Sequence, residues 1–211
     1  LVFYPCLSYN VDEKSADNCY NCPVVAYYSE LLAGNVESLQ STKFLYPYLN
    51  INNDRVLAKG LLATLHEHYP DITKAEMKEA VRAGRAAYER FMDAVRHEGE
   101  YAVRYAHEHG KRIMILAGRP YHIDPEIGHG IDKLAVSLGF AVVSEDAVYR
   151  LAETPDVHVL NQWTYHSRLY RSAVYASENK DVQLVQLVSF GCGVDAITTD
   201  EVKRILEKEG K

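Results

Sequence analysis

A nearly continuous apolar run at residues 112–117 is the feature that most constrains the fold of this chain. Such a run predicts a strand that is buried on both faces, as strands of parallel sheets are. The predicted elements after it are a helix at 126–138, a strand at 140–143, a helix at 165–177, a strand at 182–190 and a helix at 200–208 capped by Thr198 or Thr199. Strands that alternate with helices predict an α/β fold built on a parallel sheet, with ligands at the carboxyl ends of its strands.

The first part of the chain predicts a smaller α/β piece. Its predicted elements are a strand at 1–4 that delivers Cys6 to its carboxyl end, a helix at 23–33, a strand at 42–49 that Pro47 weakens, and a helix from Asn53 or Asp54 to about residue 69. A long helical region then runs from the capping-box pattern at 73–76 to about residue 109, with a predicted break at residues 98–100.

These patterns predict three parts: an α/β piece at 1–72, a helical segment at 73–110 and an α/β lobe at 111–211. The first residue is leucine and already belongs to a predicted strand, so we expect the chain to be a piece of a longer polypeptide.

Composition narrows the class of partner. The 211 residues carry a formal net charge of −6 and include no lysine- or arginine-rich run, which predicts that nucleic acid is not a partner. No apolar stretch reaches the length of a membrane span, and no membrane partner is expected. The few cysteines do not resemble a secreted disulfide framework, so a cytoplasmic location is predicted.

The chemistry-bearing residues that stand out first are the four cysteines: Cys6, Cys19, Cys22 and Cys192. Cys19 and Cys22 form a C-x-x-C pair, Pro23 is suited to the first position of a helix, and Cys192 lies between two glycines after an apolar run. Thiolates are soft ligands that suit zinc or an iron–sulfur cluster. A redox pair, half of a zinc site and buried cysteines that only fill space are the alternatives.

A second group of polar residues follows the strand at 112–117. Its members share the glycine-flanked loop before the next helix and are Arg119, Tyr121, His122, Asp124 and His129. Such a loop can hold a phosphate or carboxylate at a helix N-terminus, although the alternative is that these side chains only brace the loop. The chain has neither a G-x-G-x-x-G nor a Walker A sequence, which argues against nucleotide hydrolysis.

The remaining histidines and aromatics predict no site. The histidines at 66, 68, 97, 107 and 109 lie among charged residues and are interpreted as solvated. The group formed by Trp163, Tyr165, His166, Tyr170 and Tyr175 is interpreted as surface and packing aromatics.

Three stretches resemble a known family: residues 117–131 (AGRPYHIDPEIGHGI), 22–25 (CPVV) and 189–196 (SFGCGVDA). They are similar to the large acyl-CoA dehydratase activase-related proteins, relatives of the 2-hydroxyacyl-CoA dehydratases and the double-cubane cluster proteins. The resemblance implies flavodoxin-like parallel-sheet lobes, with a helical segment between them, around a cysteine-bound iron–sulfur cluster.

The same resemblance implies a function in anaerobic metabolism. A [4Fe–4S] cluster, which aerobic preparation can remove, would take part in ATP-driven low-potential electron transfer to an acyl-CoA-type substrate. The electrons would come from an ATP-dependent activase module on the same full-length chain, and the fragment alone is expected to be inactive. The alternative is a non-catalytic docking or scaffold domain with zinc or no metal.

The resemblance also assigns site residues. Cys22 and Cys192 match best as ligands, while Cys6 and Cys19 compete for the remaining place, or all four cysteines bind. Three ligands leave one iron open for chemistry, whereas four suggest electron transfer only. Arg119 and His122 are the candidate catalytic residues that line the approach to the cluster.

Overall fold

The chain folds into two compact units in the computed structural model, which describes residues 1–189, 191–208 and 210. The first unit comprises Leu1–Glu89 and Gln162–Thr164, and the second comprises Arg90–Asn161 and Tyr165–Lys211. Both contain helices and exclusively parallel pairings between their named strands, as described below, so the predicted α/β class is confirmed.

Short parallel strands form the sheets of the first unit. Strand β1 (Val2–Phe3) pairs with β3 (Phe44–Leu45), and β2 (Cys6–Tyr9) pairs with β4 (Tyr48–Asn50). The predicted strand at 42–49 is therefore split in two, at the proline that was expected to weaken it. Proline has no N–H to donate to a ladder, yet the Pro47 carbonyl still accepts a hydrogen bond of 2.9 Å from the Cys6 amide.

Two helices of the first unit begin at the residues that the sequence predicts. Helix α1 (Pro23–Asn35) starts at Pro23 and is followed by the short α2 (Glu37–Gln40). Helix α3 (Asp54–His66) is capped by Asn53, whose side chain accepts hydrogen bonds from two backbone amides in the first turn. The choice between Asn53 and Asp54 as the cap is thus decided in favour of Asn53.

Helix α4 (Lys74–Glu108) is one continuous helix of 35 residues. Its capping box is formed as predicted, because the Thr73 amide donates to Glu76 Oε2 at 2.8 Å and the Glu76 amide donates to Thr73 Oγ1 at 3.2 Å. The predicted break at residues 98–100 was wrong. Gly99 serves close packing instead, since a Cβ placed there would lie 2.4 Å from the Cβ of Ala147.

The sheet of the second unit has the order β6–β5–β7, and both pairings are parallel. Strand β5 (Ile113–Ala117) is central, with β6 (Ala141–Ser144) and β7 (Val182–Gln186) on either side. The predicted strand at 182–190 thus ends earlier, and Phe190 lies outside the described residues.

Two helices of the second unit begin elsewhere than predicted. Helix α5 (Ile131–Ser137) starts five residues after the predicted residue 126, because Gly130 has a φ of 76° in the left-handed region and precedes the first helical turn. Helix α8 (Gly193–Lys208) starts at Gly193, so the prediction that Thr198 or Thr199 caps it was wrong. Both threonine hydroxyls lie inside the helix and donate to carbonyls four residues earlier, at 2.9 and 2.7 Å.

Helices α6 (Glu145–Val148) and α7 (Thr164–Glu178) complete the second unit. Its hydrophobic core joins the strands to α7 and α8, and includes Ile113, Ile115, Leu169, Ala173 and Val202. The helical cluster of the first unit is smaller, with Ala58, Met77 and Val81 as its buried members. Within the described ranges, no helix is both long enough and apolar enough to cross a membrane.

Candidate functional site

The candidate site lies at the carboxyl edge of the second unit's sheet. Strand β5 ends one residue before Gly118, β6 ends next to Glu145, and the segment after β7 leads to Cys192. Because parallel strands point the same way, their carboxyl ends share one edge, where open α/β sheets bind ligands. The 118–130 loop directly follows the end of β5, as predicted, whereas Cys192 lies six residues after the end of β7 and directly precedes α8.

Arg119 is the buried charge around which this site is organised, and its side chain is 8% exposed. Its Nη2 lies 2.5 Å from Asp195 Oδ1 and 3.7 Å from Cys192 Sγ. The other Asp195 oxygen, Oδ2, accepts a hydrogen bond of 2.8 Å from the Ser189 amide. Two residues that the sequence separates by 73 positions, Arg119 and Cys192, are therefore held in contact by the first turn of α8.

The other terminal nitrogen of the Arg119 guanidinium, Nη1, makes none of these contacts. It is buried and has no hydrogen-bond partner in the part of the chain that the structure describes. The amide nitrogen and oxygen of Gln186, at the end of β7, are also buried without partners there. Buried polar atoms are normally satisfied, so these orphaned atoms mark the sheet edge as a place for a polar ligand or water.

His122 is held next to Arg119 in one tautomer. The Arg119 amide donates to His122 Nδ1 at 2.9 Å, so Nδ1 is unprotonated and the hydrogen of the neutral ring is on Nε2. Nε2 lies 3.5 Å from Ser189 Oγ, which also hydrogen-bonds the Tyr121 hydroxyl. Burial lowers the pKa of His122; the Asp195 carboxylate opposes this effect and the Arg119 charge adds to it.

Gly118 makes this arrangement possible. A Cβ at position 118 would lie 2.4 Å from His122 Nδ1 and 3.1 Å from the Leu187 carbonyl oxygen. Any other residue would push the histidine ring away from the Arg119 amide. The glycine is therefore required for close approach.

Two buried titratable residues of the second unit were not predicted as site residues. Burial raises the pKa of Glu145 to about 8, and burial together with the Arg119 charge lowers the pKa of His166 to about 3. Glu145 could have been found from its place directly after a predicted strand, at the ligand-binding edge. His166 was assigned to packing aromatics, and its burial at 2% exposure agrees with the packing part of that interpretation.

The three cysteines of the first unit have different environments. Cys6 is completely buried, and its Sγ lies 3.0 Å from Ser29 Oγ. It follows the end of β1 by three residues and is also the first residue of the next strand, β2, which the sequence did not predict. Burial raises the pKa of the Cys19 thiol. Cys22 is partly exposed and precedes Pro23 at the start of α1, where its side chain makes no capping hydrogen bond.

No metal centre is formed by side chains alone in the described residues. Among them, no three or more His, Cys, Asp or Glu side chains come together as a group that could hold a metal ion. The predicted cluster ligands, Cys6, Cys19, Cys22 and Cys192, thus stay a prediction, as do the roles of Arg119 and His122.

The comparisons with known proteins identify a family. The family model described as the CoA enzyme activase uncharacterised domain (DUF2229) matches residues 1–148. The chain belongs to this family. The predicted relationship to acyl-CoA dehydratase activase-related proteins is thereby confirmed. No curated protein and no solved structure matches the chain.

The residues matched by the CoA enzyme activase family include three of the four cysteines together with Arg119 and His122. Cys192 and Asp195 lie beyond the match, and the structure alone brings them to Arg119.

Proposed function

We propose that this CoA enzyme activase family member is an iron–sulfur-binding domain that takes part in ATP-driven, low-potential electron transfer to an acyl-CoA-type substrate. Its partner would be an ATP-dependent activase module. The family match supports the CoA-dependent setting. The observation that carries the proposal is Cys192, a partly exposed thiol held beside the buried Arg119 at the ligand-binding edge of a parallel sheet.

The cysteines fit a cluster unequally. Cys22 and Cys192 are both partly exposed and each directly precedes a helix, where free backbone N–H groups favour nearby negative charge such as that of an iron–sulfur cluster. Cys19 is buried with a raised pKa, so metal binding there would have to displace a proton. Cys6 is completely buried and its thiol is hydrogen-bonded to the Ser29 hydroxyl, as expected for a thiol with a structural role. We therefore propose Cys22 and Cys192 as ligands, with Cys19, rather than the completely buried Cys6, in the remaining place.

A bound cluster would supply one-electron chemistry at low potential. The protein's own residues would position and shield it. Arg119 holds the Cys192 thiol through Nη2, is itself anchored by Asp195, and keeps Nη1 for an anionic or carbonyl oxygen of a ligand. His122 is a neutral ring at physiological pH, so its Nε2–H can donate a hydrogen bond without adding charge.

The decisive experiment is iron and sulfide analysis of protein purified without oxygen. We expect roughly four irons and four sulfides per chain, with a broad visible charge-transfer absorption, as for a [4Fe–4S] cluster. Cys22→Ser and Cys192→Ser should lose most of the iron. Cys6→Ser is the matched control and should retain it. A colourless protein that binds one zinc, or equal iron loss in all three variants, contradicts the proposal.

A second candidate is a docking or scaffold domain that binds zinc or no metal. Helix α1 favours it because Val24, Val25 and Leu31 are exposed on a helix whose only buried residue is Ser29. Under this alternative the anaerobic protein contains no iron, and Cys22→Ser leaves the iron content at zero and changes stability little.

A further inference from the structure

We propose that a groove between α3 and α4 in the first unit binds a phosphorylated adenine nucleotide. The basic groove, as we call it, is a concave cavity of about 820 Å³. Its volume falls in the range of small-molecule sites, which are typically about 300–1,000 Å³. No cysteine lines this cavity, so ligand binding there can be tested separately from cluster binding. If the ligand is a CoA thioester, the inference rests on the proposed acyl-CoA substrate.

Five cationic side chains line the basic groove: Arg55, Lys59, Lys74, Lys78 and Arg82. The lining includes one carboxylate, Asp54, and this carboxylate is bound by Arg85 at 2.7 Å. The chain as a whole has a net charge of −6, so this concentration of positive charge is not a consequence of composition. Such a concentration of one sign in a cleft raises the local concentration of oppositely charged ligands.

Most of these cations have no partner of their own. In the ranges that the structure describes, ion pairs are formed by Arg82, with Glu79, but not by Arg55 or any of the three lysines. All five side chains are exposed, so they can move to meet a ligand. Lysine is a flexible point charge, and this property suits binding of phosphate groups in varied positions.

The spacing of these positive charges lowers the stability of the helices that carry them. Arg55 and Lys59 are four residues apart on α3, and Lys74, Lys78 and Arg82 follow each other at the same interval on α4. Like charges at this spacing lie next to each other on a helix and destabilise it. A ligand with several negative charges would remove this repulsion.

The floor of the basic groove is apolar. Of its apolar lining residues, Ala58 and Val81 are buried and Leu62 is half-buried. A flat adenine ring or an alkyl chain can lie on such a floor while its phosphates reach the cations at the rim. A second cavity of about 810 Å³ shares Lys59, Leu62 and Lys74 with the basic groove, but Glu67 and Asp71 also line it, so the phosphates are expected in the basic groove itself.

Two cellular sources supply this chemistry: a CoA thioester, with its 3′-phosphate and diphosphate, and ATP or ADP. Calorimetric titration of the whole chain at low salt with CoA, dephospho-CoA, ATP and ADP distinguishes them. If the natural ligand is a CoA thioester, dephospho-CoA, which lacks the 3′-phosphate, should bind more weakly than CoA. If the natural ligand is ATP or ADP, ATP should bind more tightly than CoA. Either result supports the site, and affinity should fall steeply as salt is raised.

Lysine variants inside and outside the basic groove test whether the nucleotide binds there. Lys59→Ala with Lys78→Ala should weaken the tighter ligand by about tenfold per lysine, as expected for a charge-assisted contact. Lys43→Ala removes the same charge from the same unit outside the groove and should change affinity less than about twofold. Circular dichroism and the melting temperature report folding, and loss of repulsion predicts that the double variant melts no lower than the parent.

The inference is overturned if none of the four nucleotides binds at low salt, if Lys43→Ala weakens binding as much as the double variant, or if only an acidic peptide binds. Iron analysis of the same samples keeps the two proposals apart. Nucleotide binding that survives Cys22→Ser, together with iron content that survives the double lysine variant, supports two separate sites.

Discussion

The two units handle charge in opposite ways. In the second unit, Arg119 and Asp195 are paired with side-chain exposures of 8% and 4%, and Glu145 is buried at the start of α6, directly after β6. In the first unit, Arg82 and Glu79 are paired with exposures of 78% and 62%, and the lysines of the basic groove are solvated. Buried charges hold one geometry because losing a partner is costly, whereas exposed charges stay free to bind ligands. The second unit is therefore built to position groups and the first to attract them.

The largest expected effect comes from breaking the buried pair. Arg119→Ala leaves Asp195 buried without its counter-charge and should lower the free energy of unfolding of the second unit by about 3–5 kcal/mol. Arg82→Ala in the exposed pair should cost about 1 kcal/mol or less. Urea unfolding measures both. Equal losses in the two variants would show that the units do not differ in this way.

Truncation of a core side chain should destabilise the second unit more than the first. Leu169→Ala, in the larger core, should cost about 3–5 kcal/mol of unfolding free energy, because the surrounding strands and helices cannot close the cavity. Met77→Ala lies in the smaller helical cluster, which can collapse more readily, and should cost nearer about 2 kcal/mol. Leu138→Ala, at a position 68% exposed, is the control and should change little. The reverse order of the first two would contradict the comparison.

The two glycines inside α4 give a matched test on one helix. Gly99→Ala should destabilise by about 1–3 kcal/mol, since the new Cβ meets Ala147 and neither can move aside. Gly84 has nothing within 4 Å of such a Cβ, so Gly84→Ala should stabilise by up to about 1 kcal/mol. Thermal denaturation followed by circular dichroism reads both. Stabilisation by both changes would mean that Gly99 is not in close contact.

The last prediction is a pH dependence of stability. Burial raises the pKa of Glu145 to about 8, so the folded chain keeps a proton that the unfolded chain has already lost. This contribution to stability is complete below the unfolded pKa and is lost as pH rises through 8, with a slope of at most about 1.4 kcal/mol per pH unit. His166, with a pKa of about 3, acts oppositely below about pH 6.5.

Urea unfolding between pH 6.5 and 8 therefore isolates the Glu145 contribution. The parent should lose stability over this range, and Glu145→Gln, which mimics the protonated side chain, should not. Glu76→Gln in the first unit is the control: hydrogen bonds from Thr73 lower the pKa of Glu76, so its contribution changes only at acidic pH. A parent with a flat profile above pH 6.5 would show that Glu145 is ionised in the fold.

Local patterns predicted much of this architecture. The apolar run before Gly118 predicted a central strand, and the Thr73–Glu76 and Asn53 caps predicted two helix starts, because both signals depend on neighbouring residues. The wrong predictions concern features that depend on residues far apart in the sequence or on signals with two interpretations. Gly99 suggested a break because its partner, Ala147, is remote in the sequence, and α8 was started too late because its threonines resemble caps.

By itself, the sequence determined the α/β class, the parallel direction of the main strands, and the presence of Arg119 and His122 in the loop after a buried strand, since periodicity and turn residues are local properties. Only the tertiary structure decided that Arg119 contacts Asp195 and Cys192. It also decided that the buried Cys6 thiol is hydrogen-bonded to Ser29, and that five cationic side chains line one cavity. These outcomes depend on which distant side chains share a volume from which water is removed, and no local pattern encodes that burial.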